Sequence, residues 1–256
     1  MTDEQRKKAL YRLGAVDVDM DALLEYTKNV FPCIPDVQSD ELSPSWPALW
    51  KRALEICNNP PHLEMFESVA GTVPIIYPAS VADYKNLLRE IVYKCKDVPH
   101  IEKMGASFVH GKTLRFIILS NKPYSGVAAE DMGLGEKEWL EKSVTIRKYH
   151  ECAHYYTKRF FGLTRNHLHD ELIADFCGLY AAFGEYRAEW FLKFYALRSG
   201  IYTKGLSLTA AAVVDRLAGV AANGVEAWTK TASFTRLDEA GRIGFLTAKE
   251  LLEYTQ

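Results

Sequence analysis

Residues 150–175 read HECAHYYTKRFFGLTRNHLHDELIAD and begin with the pattern His-Glu-x-x-His. An α-helix turns by about 100° per residue, so His150 and His154 lie about 40° apart on one face and one turn apart. Both imidazoles can therefore reach one metal ion. Glu151 lies between them in angle and can take a proton from a metal-bound water without being a ligand. The pattern predicts a metal-binding helix.

A third ligand is expected from the segment that follows. Glu171 comes 17 residues after His154, near the start of a second predicted helix. Two helices joined by a short loop pack side by side, so we expect Glu171 to face the histidine pair. Asp175, one turn later, is expected to accept the second N–H of a ligand histidine and to fix its tautomer. Catalytic zinc usually has three protein ligands and one water. The sequence therefore predicts a zinc site made of His150, His154 and Glu171.

Other residues of the second helix leave alternatives open. The third ligand can also come from one of three neighbours of Glu171, namely His167, His169 and Asp170. For Asp170 we favour a role as the helix N-cap. Cys152 lies on the side of the motif helix that faces away from the ion, and we expect it to be a small core residue.

The order His-Glu-x-x-His, then Glu-x-x-x-Asp on the next helix, resembles the gluzincin zinc metallopeptidases. The resemblance covers residues 150–175, about a tenth of the chain. It implies that the zinc ligands are His150, His154 and Glu171. It also implies that Glu151 is the general base and that Asp175 is a carboxylate outside the set of ligands. It also implies a β-sheet before the motif helix, with an edge strand along the substrate cleft, a place that a hairpin over 106–119 can take. Candidates for the residue that stabilises the transition state are His167, His169, Tyr180 and Tyr186.

Composition restricts the classes of partner. The chain has 256 residues, of which 48% are hydrophobic and 25% charged, as in soluble globular proteins. Its net charge of −2 gives no overall field that attracts nucleic acid or an anionic membrane, so neither is expected as a partner. We expect no secretory signal at the N-terminus and no membrane span in the apolar stretch 206–228, which charged residues interrupt. Five scattered cysteines predict reduced thiols and a cytoplasmic location.

Periodicity predicts a mostly helical α+β protein with a small β unit before the motif helix and a helical C-terminal half. The resemblance adds a zincin-like fold, in one compact domain over 1–256 or subdivided into 1–135 and 136–256. A loop is expected over 32–45, a strand over 71–78 and a hairpin over 106–119 that turns near His110-Gly111. Pro74 predicts an edge position for the strand. Helices are predicted over 3–13, 18–31, 45–57, 80–96, 136–161, 166–183, 185–198, 209–222 and 239–254.

Two functions from different classes follow. The first is a zinc-dependent hydrolase, a peptidase, that acts on a peptide or protein through a water activated by Glu151. The second is a non-catalytic zinc-binding or partner-binding module that keeps the helix pair and closes the site with a fourth ligand, His167 or His169. The sequence leaves the oligomeric state open.

Overall fold

The computed structural model describes residues 1–31, 43–98, 100–110, 114–162 and 167–255. Over these residues the protein is mostly helical with a small mixed sheet, which confirms the predicted α+β class. The helices are α1 (Asp3–Arg12), α2 (Met20–Thr27), α3 (Trp46–Ile56), α4 (Val81–Leu87), α5 (Glu136–Phe161), α6 (Leu168–Phe183), α7 (Ala188–Ala196), α8 (Ser199–Tyr202), α9 (Leu208–Thr229), α10 (Ala232–Thr235) and α11 (Glu239–Thr247). The strands are β1 (His62–Ser68), β2 (Gly71–Tyr77), β3 (Ala106–His110) and β4 (Arg115–Leu119).

The chain forms two compact units. One comprises Met1–Pro35 and Phe160–Gln256, and the other comprises Asp36–Arg159. The first is helical, whereas the second contains the sheet and most of α5. The predicted single domain, with a possible subdivision after residue 135, stays a prediction.

The sheet has the strand order β1-β2-β4-β3. The pairs β1–β2 and β3–β4 are antiparallel, and β2 pairs with β4 in parallel through Ile75↔Ile117 and Ile76↔Ile118. The hairpin predicted over 106–119 is confirmed by β3 and β4, although Gly111 of its predicted turn lies outside the described residues.

The prediction that 71–78 forms an edge strand was wrong, because β2 lies inside the sheet, between β1 and β4. Proline has no backbone N–H and is normally excluded from a central strand. Here the parallel ladder with β4 begins only at Ile75, one residue after Pro74. The proline therefore precedes that ladder, and the centre of the strand keeps its hydrogen bonds.

The outer strand β1 was not predicted. Its sequence, HLEMFES, carries charged side chains, and none of its residues is fully buried. Such a sequence gives a weak strand signal, since an edge strand buries little of its surface. Its partner β2 carries the buried apolar side chains, since Val73, Ile75 and Ile76 are fully buried.

Helices cover both faces of this sheet. Alternate residues point to opposite faces, so Ile75 and Ile117 pack with Cys152 and Tyr155 of α5. Ile76 and its same-face neighbours pack instead against α3, α4 and the π-helical turn Leu88–Val92 that continues α4. The prediction that Cys152 is a small core residue is confirmed. The result is a layered unit in which the motif helix rests on the sheet.

Most predicted helices are present, with shifted ends. The prediction for α5 matches at both ends, and Gly162 follows it with φ +70°. Asp19 is the N-cap of α2, and its side chain accepts a hydrogen bond from the backbone of Ala22. The predicted helix 239–254 is two elements, α11 and the 3-10 helix Leu251–Thr255. Asn166 and most of the predicted loop 32–45 lie outside the described residues.

The helix α9 is longer than predicted and is long and apolar enough to cross a membrane by those criteria alone. Much of it is buried in the protein, including Val213, Leu217, Ala221 and Val225. A core helix of a soluble protein meets the same criteria, so this is weak evidence for a span.

Candidate metal centre

The two histidines of the motif face each other across one turn of α5. The Nε2 atoms of His150 and His154 lie 3.0 Å apart, and the two rings are nearly perpendicular, at 88°. Two nitrogens bound to one zinc ion in tetrahedral geometry lie roughly 3.3 Å apart, because each Zn–N bond is about 2.0–2.1 Å long. The observed separation is close to that value. The pair therefore fits a shared metal ion.

His150 is held from its other side by a tyrosine. The hydroxyl of Tyr124 lies 3.0 Å from Nδ1 of His150, and both side chains are buried. One nitrogen of the ring is thus occupied by a protein partner, while the other faces His154. An imidazole that binds a metal through Nε2 carries its proton on Nδ1 and can donate it to an acceptor there.

Glu171 is buried in the first turn of α6. Its Oε2 accepts a hydrogen bond from the hydroxyl of Tyr202 at 3.0 Å and lies 3.5 Å from Nη1 of Arg198. Burial raises the pKa of Tyr202 above its usual value, and the negative charge of Glu171 raises it further. Tyr202 therefore remains a protonated donor, and Glu171 is held in one orientation.

Asp175 lies one turn after Glu171 and is fully buried. Its Oδ2 accepts a hydrogen bond from Nη2 of Arg198 at 2.8 Å. The same guanidinium therefore contacts both carboxylates of the predicted pair. The expected role of Asp175 toward a ligand histidine stays a prediction.

Three side chains supply the candidate ligand atoms. One such atom from each of His150, His154 and Glu171 lies within 4.8 Å of the others, so the three can hold a metal ion. His150 and Glu171 are buried and His154 is half-buried. Two imidazoles and a carboxylate form a donor set that zinc accepts.

The alternative third ligands have other roles. The ring of His167 donates from Nε2 to the carbonyl of Tyr26 at 2.9 Å and accepts the backbone N–H of His169 at Nδ1. His169 donates from Nε2 to the carbonyl of Leu246 at 3.0 Å. Burial lowers the pKa of His169 to about 4, so its ring is neutral at pH 7. Both histidines therefore form hydrogen bonds within the helical unit.

The predicted N-cap of α6 was wrong. His167, not Asp170, is the N-cap, and its Nδ1 accepts the backbone N–H of His169. An imidazole nitrogen can replace the usual carboxylate because it also offers a lone pair close to the first free N–H groups. Asp170 lies within the first turn of the helix, where its negative charge is still favourable.

Glu151 is half-buried on α5, beside the first ligand histidine. Burial lowers the pKa of Arg147 to about 10, and the negative charge of Glu151 opposes that effect. Burial raises the pKa of Tyr84, and the negative charge of Glu151 raises it further. Its carboxylate is therefore close enough to both groups to influence their protonation.

The two tyrosines predicted as transition-state candidates pack in the helical unit. Tyr180 contacts Phe176 and Phe234, with ring centroids 5.9 and 5.2 Å away. Tyr186 also contacts Phe176, at 5.7 Å, and burial raises its pKa well above the usual value. Two other tyrosines contact candidate ligands, namely Tyr124 at His150 and Tyr202 at Glu171.

Four residues that support the ligands were missed by the sequence reasoning. Tyr124 and Tyr202 are separated from their partners by 26 and 31 positions, and no local pattern links them. Arg198 likewise lies 27 positions after Glu171. Arg147 had a usable signal, because it lies three residues before His150 and therefore on the same face of the predicted helix.

Comparison with known proteins gives one similarity. Residues 113–235 match a protein family described as a family of unknown function, DUF7005. The match covers somewhat less than half of the chain and includes both α5 and α6. No curated protein matches the chain. No solved structure matches it.

Proposed function

We propose that this protein is a zinc-dependent hydrolase that cleaves peptide bonds. The observation that carries the proposal is the cluster of His150, His154 and Glu171, with Glu151 directly after the first histidine. The zincin-like fold belongs to the same proposal. It is supported by the sheet that precedes α5 and packs against it.

The choice of zinc follows from the ligand atoms. Two imidazole nitrogens and one carboxylate oxygen suit zinc better than magnesium or calcium, which prefer oxygen ligands throughout. When bound, a zinc ion would lower the pKa of a water molecule and polarise the substrate carbonyl. Three protein ligands, rather than four, are typical of sites that leave a position for such chemistry.

Glu151 is proposed as the general base. Its carboxylate accepts a proton from the attacking water and then donates that proton to the leaving amine. Half-burial suits this role, since the group must reach substrate and solvent without being fully hydrated. A peptide or a protein is the proposed substrate because the amide bond is what this pair of steps cleaves.

The non-catalytic module has less support. A closed site would need a fourth ligand, for which His167 or His169 was the candidate. Both rings donate instead to backbone carbonyls, those of Tyr26 and Leu246.

The cysteines support the location that the sequence predicts. In the structure, no disulfide is formed by Cys57, Cys95, Cys152 or Cys177. A cytoplasmic enzyme is therefore proposed.

The test compares zinc content and peptide cleavage in four proteins, namely the wild type, Glu151→Gln, Glu171→Ala and the control Glu141→Gln. Glu141 is an exposed carboxylate of the same helix. Cleavage of a peptide library is read as new N-termini by mass spectrometry. We expect about one zinc per chain in the wild type, in Glu151→Gln and in the control, and a weakened site in Glu171→Ala.

Turnover should then separate the roles. Glu151→Gln should lose at least 100-fold in rate, a typical contribution of general acid–base catalysis, while the control keeps the wild-type rate. Absence of zinc from the wild type after reconstitution would overturn the metal site. Zinc binding without cleavage of any peptide would instead leave the non-catalytic module.

A further inference from the structure

We propose that Tyr124 is a positioning residue for His150, whose ring it holds with Nε2 directed at the metal position. The inference rests on the proposed zinc site. It adds a residue that neither the motif nor the family match assigns. The role is to accept a hydrogen bond from Nδ1–H of His150, which places the lone pair of the ring on Nε2.

The contact itself is short and buried. The hydroxyl of Tyr124 lies 3.0 Å from Nδ1 of His150, and the exposed fractions of the two residues are 4% and 6%. The rings meet edge to face, with centroids 5.9 Å apart. Buried polar atoms need hydrogen-bond partners. Nε2 of His150 faces His154, and the hydroxyl of Tyr124 contacts the other ring nitrogen.

The segment that carries Tyr124 is held against α5 by that helix itself. We call residues 120–127 the strap. The hydroxyl of Ser143 accepts the backbone N–H of Tyr124 at 2.9 Å. Arg147 donates to the strap carbonyls of Ser120 at 3.2 Å, of Lys122 at 2.6 Å and of Pro123 at 2.7 Å.

The other end of the strap is held in the same way. The indole N–H of Trp139 donates to the carbonyl of Val127 at 2.7 Å. Trp139, Ser143 and Arg147 are all buried. They follow one another at intervals of four residues, and His150 and His154 continue the same stripe. The helix therefore binds the strap along the stripe that presents the histidines, and this sets Tyr124 opposite His150.

The chemical consequence concerns the tautomer and the orientation of one ligand. A histidine ligand can rotate about its side-chain bonds and can bind through either nitrogen unless a second partner restrains it. A buried phenol restrains it without adding a second negative charge next to Glu151. Loss of such an outer partner typically weakens metal binding by about 10- to 100-fold.

The test measures zinc affinity by competition with a chromophoric chelator at pH 7. The variants are Tyr124→Phe, His150→Ala and the control Tyr84→Phe. Tyr84 is also fully buried in the same unit, and its hydroxyl has no hydrogen-bond partner among the described residues. We expect Tyr124→Phe to bind zinc at least tenfold more weakly, and Tyr84→Phe to bind like the wild type.

A second readout uses the wild type alone. In the zinc-loaded protein with 15N-labelled histidine, long-range proton–nitrogen spectra should show His150 protonated at Nδ1, with slow exchange of that proton. A proton on Nε2, or equal zinc affinities of Tyr124→Phe and the wild type while His150→Ala loses zinc, would overturn the positioning role and leave the proposed enzyme intact. If the wild type binds no zinc, the proposed function fails first.

Discussion

Arg198 and Asp175 form a partly buried ion pair, in which Nη2 donates to Oδ2 at 2.8 Å. The side chain of Asp175 is fully buried, and that of Arg198 is 23% exposed. The other terminal nitrogen of Arg198 lies 3.5 Å from Glu171. One cation therefore offsets two carboxylates that lie one turn apart on α6. Without it, two negative charges would share a poorly hydrated environment.

Replacement of Arg198 by methionine should destabilise the protein. We expect the free energy of unfolding to fall by roughly 3 kcal/mol, because the buried carboxylate of Asp175 would lose the positive charge of Arg198. Urea unfolding measures the loss. Arg52→Met is the matched control, since Arg52 pairs with Glu90 and Glu55 at an exposed site and should cost at most about 1 kcal/mol.

The double variant Arg198→Met/Asp175→Asn separates charge from packing. If burial of the Asp175 charge without the guanidinium causes the loss, removal of the carboxylate charge should restore part of the stability. Equal losses in Arg198→Met and Arg52→Met would contradict the account of the buried pair.

Tyr202→Phe should weaken metal binding at the proposed zinc site without a large effect on folding. The variant removes the hydroxyl that donates to Oε2 of Glu171 at 3.0 Å. We expect about tenfold lower zinc affinity, as for other outer partners of metal ligands. Isothermal titration measures it. In Tyr186→Phe the lost hydroxyl is buried and has no hydrogen-bond partner among the described residues, so unchanged affinity is expected. Similar affinity losses in the two variants would argue against a specific contact.

Gly105→Ala should disturb the position of Arg147. A Cβ atom at residue 105 would lie 2.5 Å from Nε of Arg147, which is too close for two unbonded atoms. Arg147 is buried and holds the strap, so it has little room to move. We expect a loss of about 2 kcal/mol in the free energy of unfolding, typical of overpacking.

Gly244→Ala is the control for that substitution. Gly244 lies in α11, and a Cβ atom there would meet nothing within 4 Å. Alanine should therefore be neutral or should stabilise the helix by up to about 1 kcal/mol. Thermal unfolding of both variants gives the two melting temperatures, and that of Gly105→Ala should be lower. Equal melting temperatures would show that Arg147 can shift at no cost.

Asp83 should make stability depend on pH in the acid range. It is fully buried, and the pKa of its carboxyl is lowered mainly by the backbone N–H of Asn58, at 2.7 Å, with a further contribution from the hydroxyl of Ser80. The unfolded chain therefore binds this proton at higher pH than the folded protein does. The stabilisation is complete above the unfolded pKa of about 3.9 and is lost as pH falls through the folded value.

Asp83→Asn removes this dependence. At pH 7 the variant should be less stable by roughly 2 kcal/mol, the contribution of a hydrogen bond to a charged group. The difference from the wild type should shrink as the pH of urea unfolding is lowered below about 4. Asp21→Asn, at an exposed site, should show neither effect. A difference that stays constant down to pH 2 would exclude the carboxylate charge as the cause.

The local features of the protein followed from patterns that span only a few residues. The ends of α5 and the facing histidines follow from helical periodicity. The glycine after the helix adopts a positive φ angle. The hairpin of β3 and β4 depends on two apolar runs close in the chain. The position of β2 was missed because a proline counts against a central strand, and only the register of its neighbour removes that conflict.

The sequence by itself determined the α+β class, the motif helix and the facing pair of His150 and His154, and it favoured Glu171 over three neighbours as the third ligand. Each of these depends on spacing along a single helix or on the order of two helices. Only the tertiary structure decided which groups hold those ligands. Tyr124 meets His150, and Arg198 meets both Glu171 and Asp175, through contacts between residues 23 to 27 positions apart. The physical reason is that periodicity reports how a residue is oriented on its own element, whereas a hydrogen-bond partner is selected by the packing of distant segments.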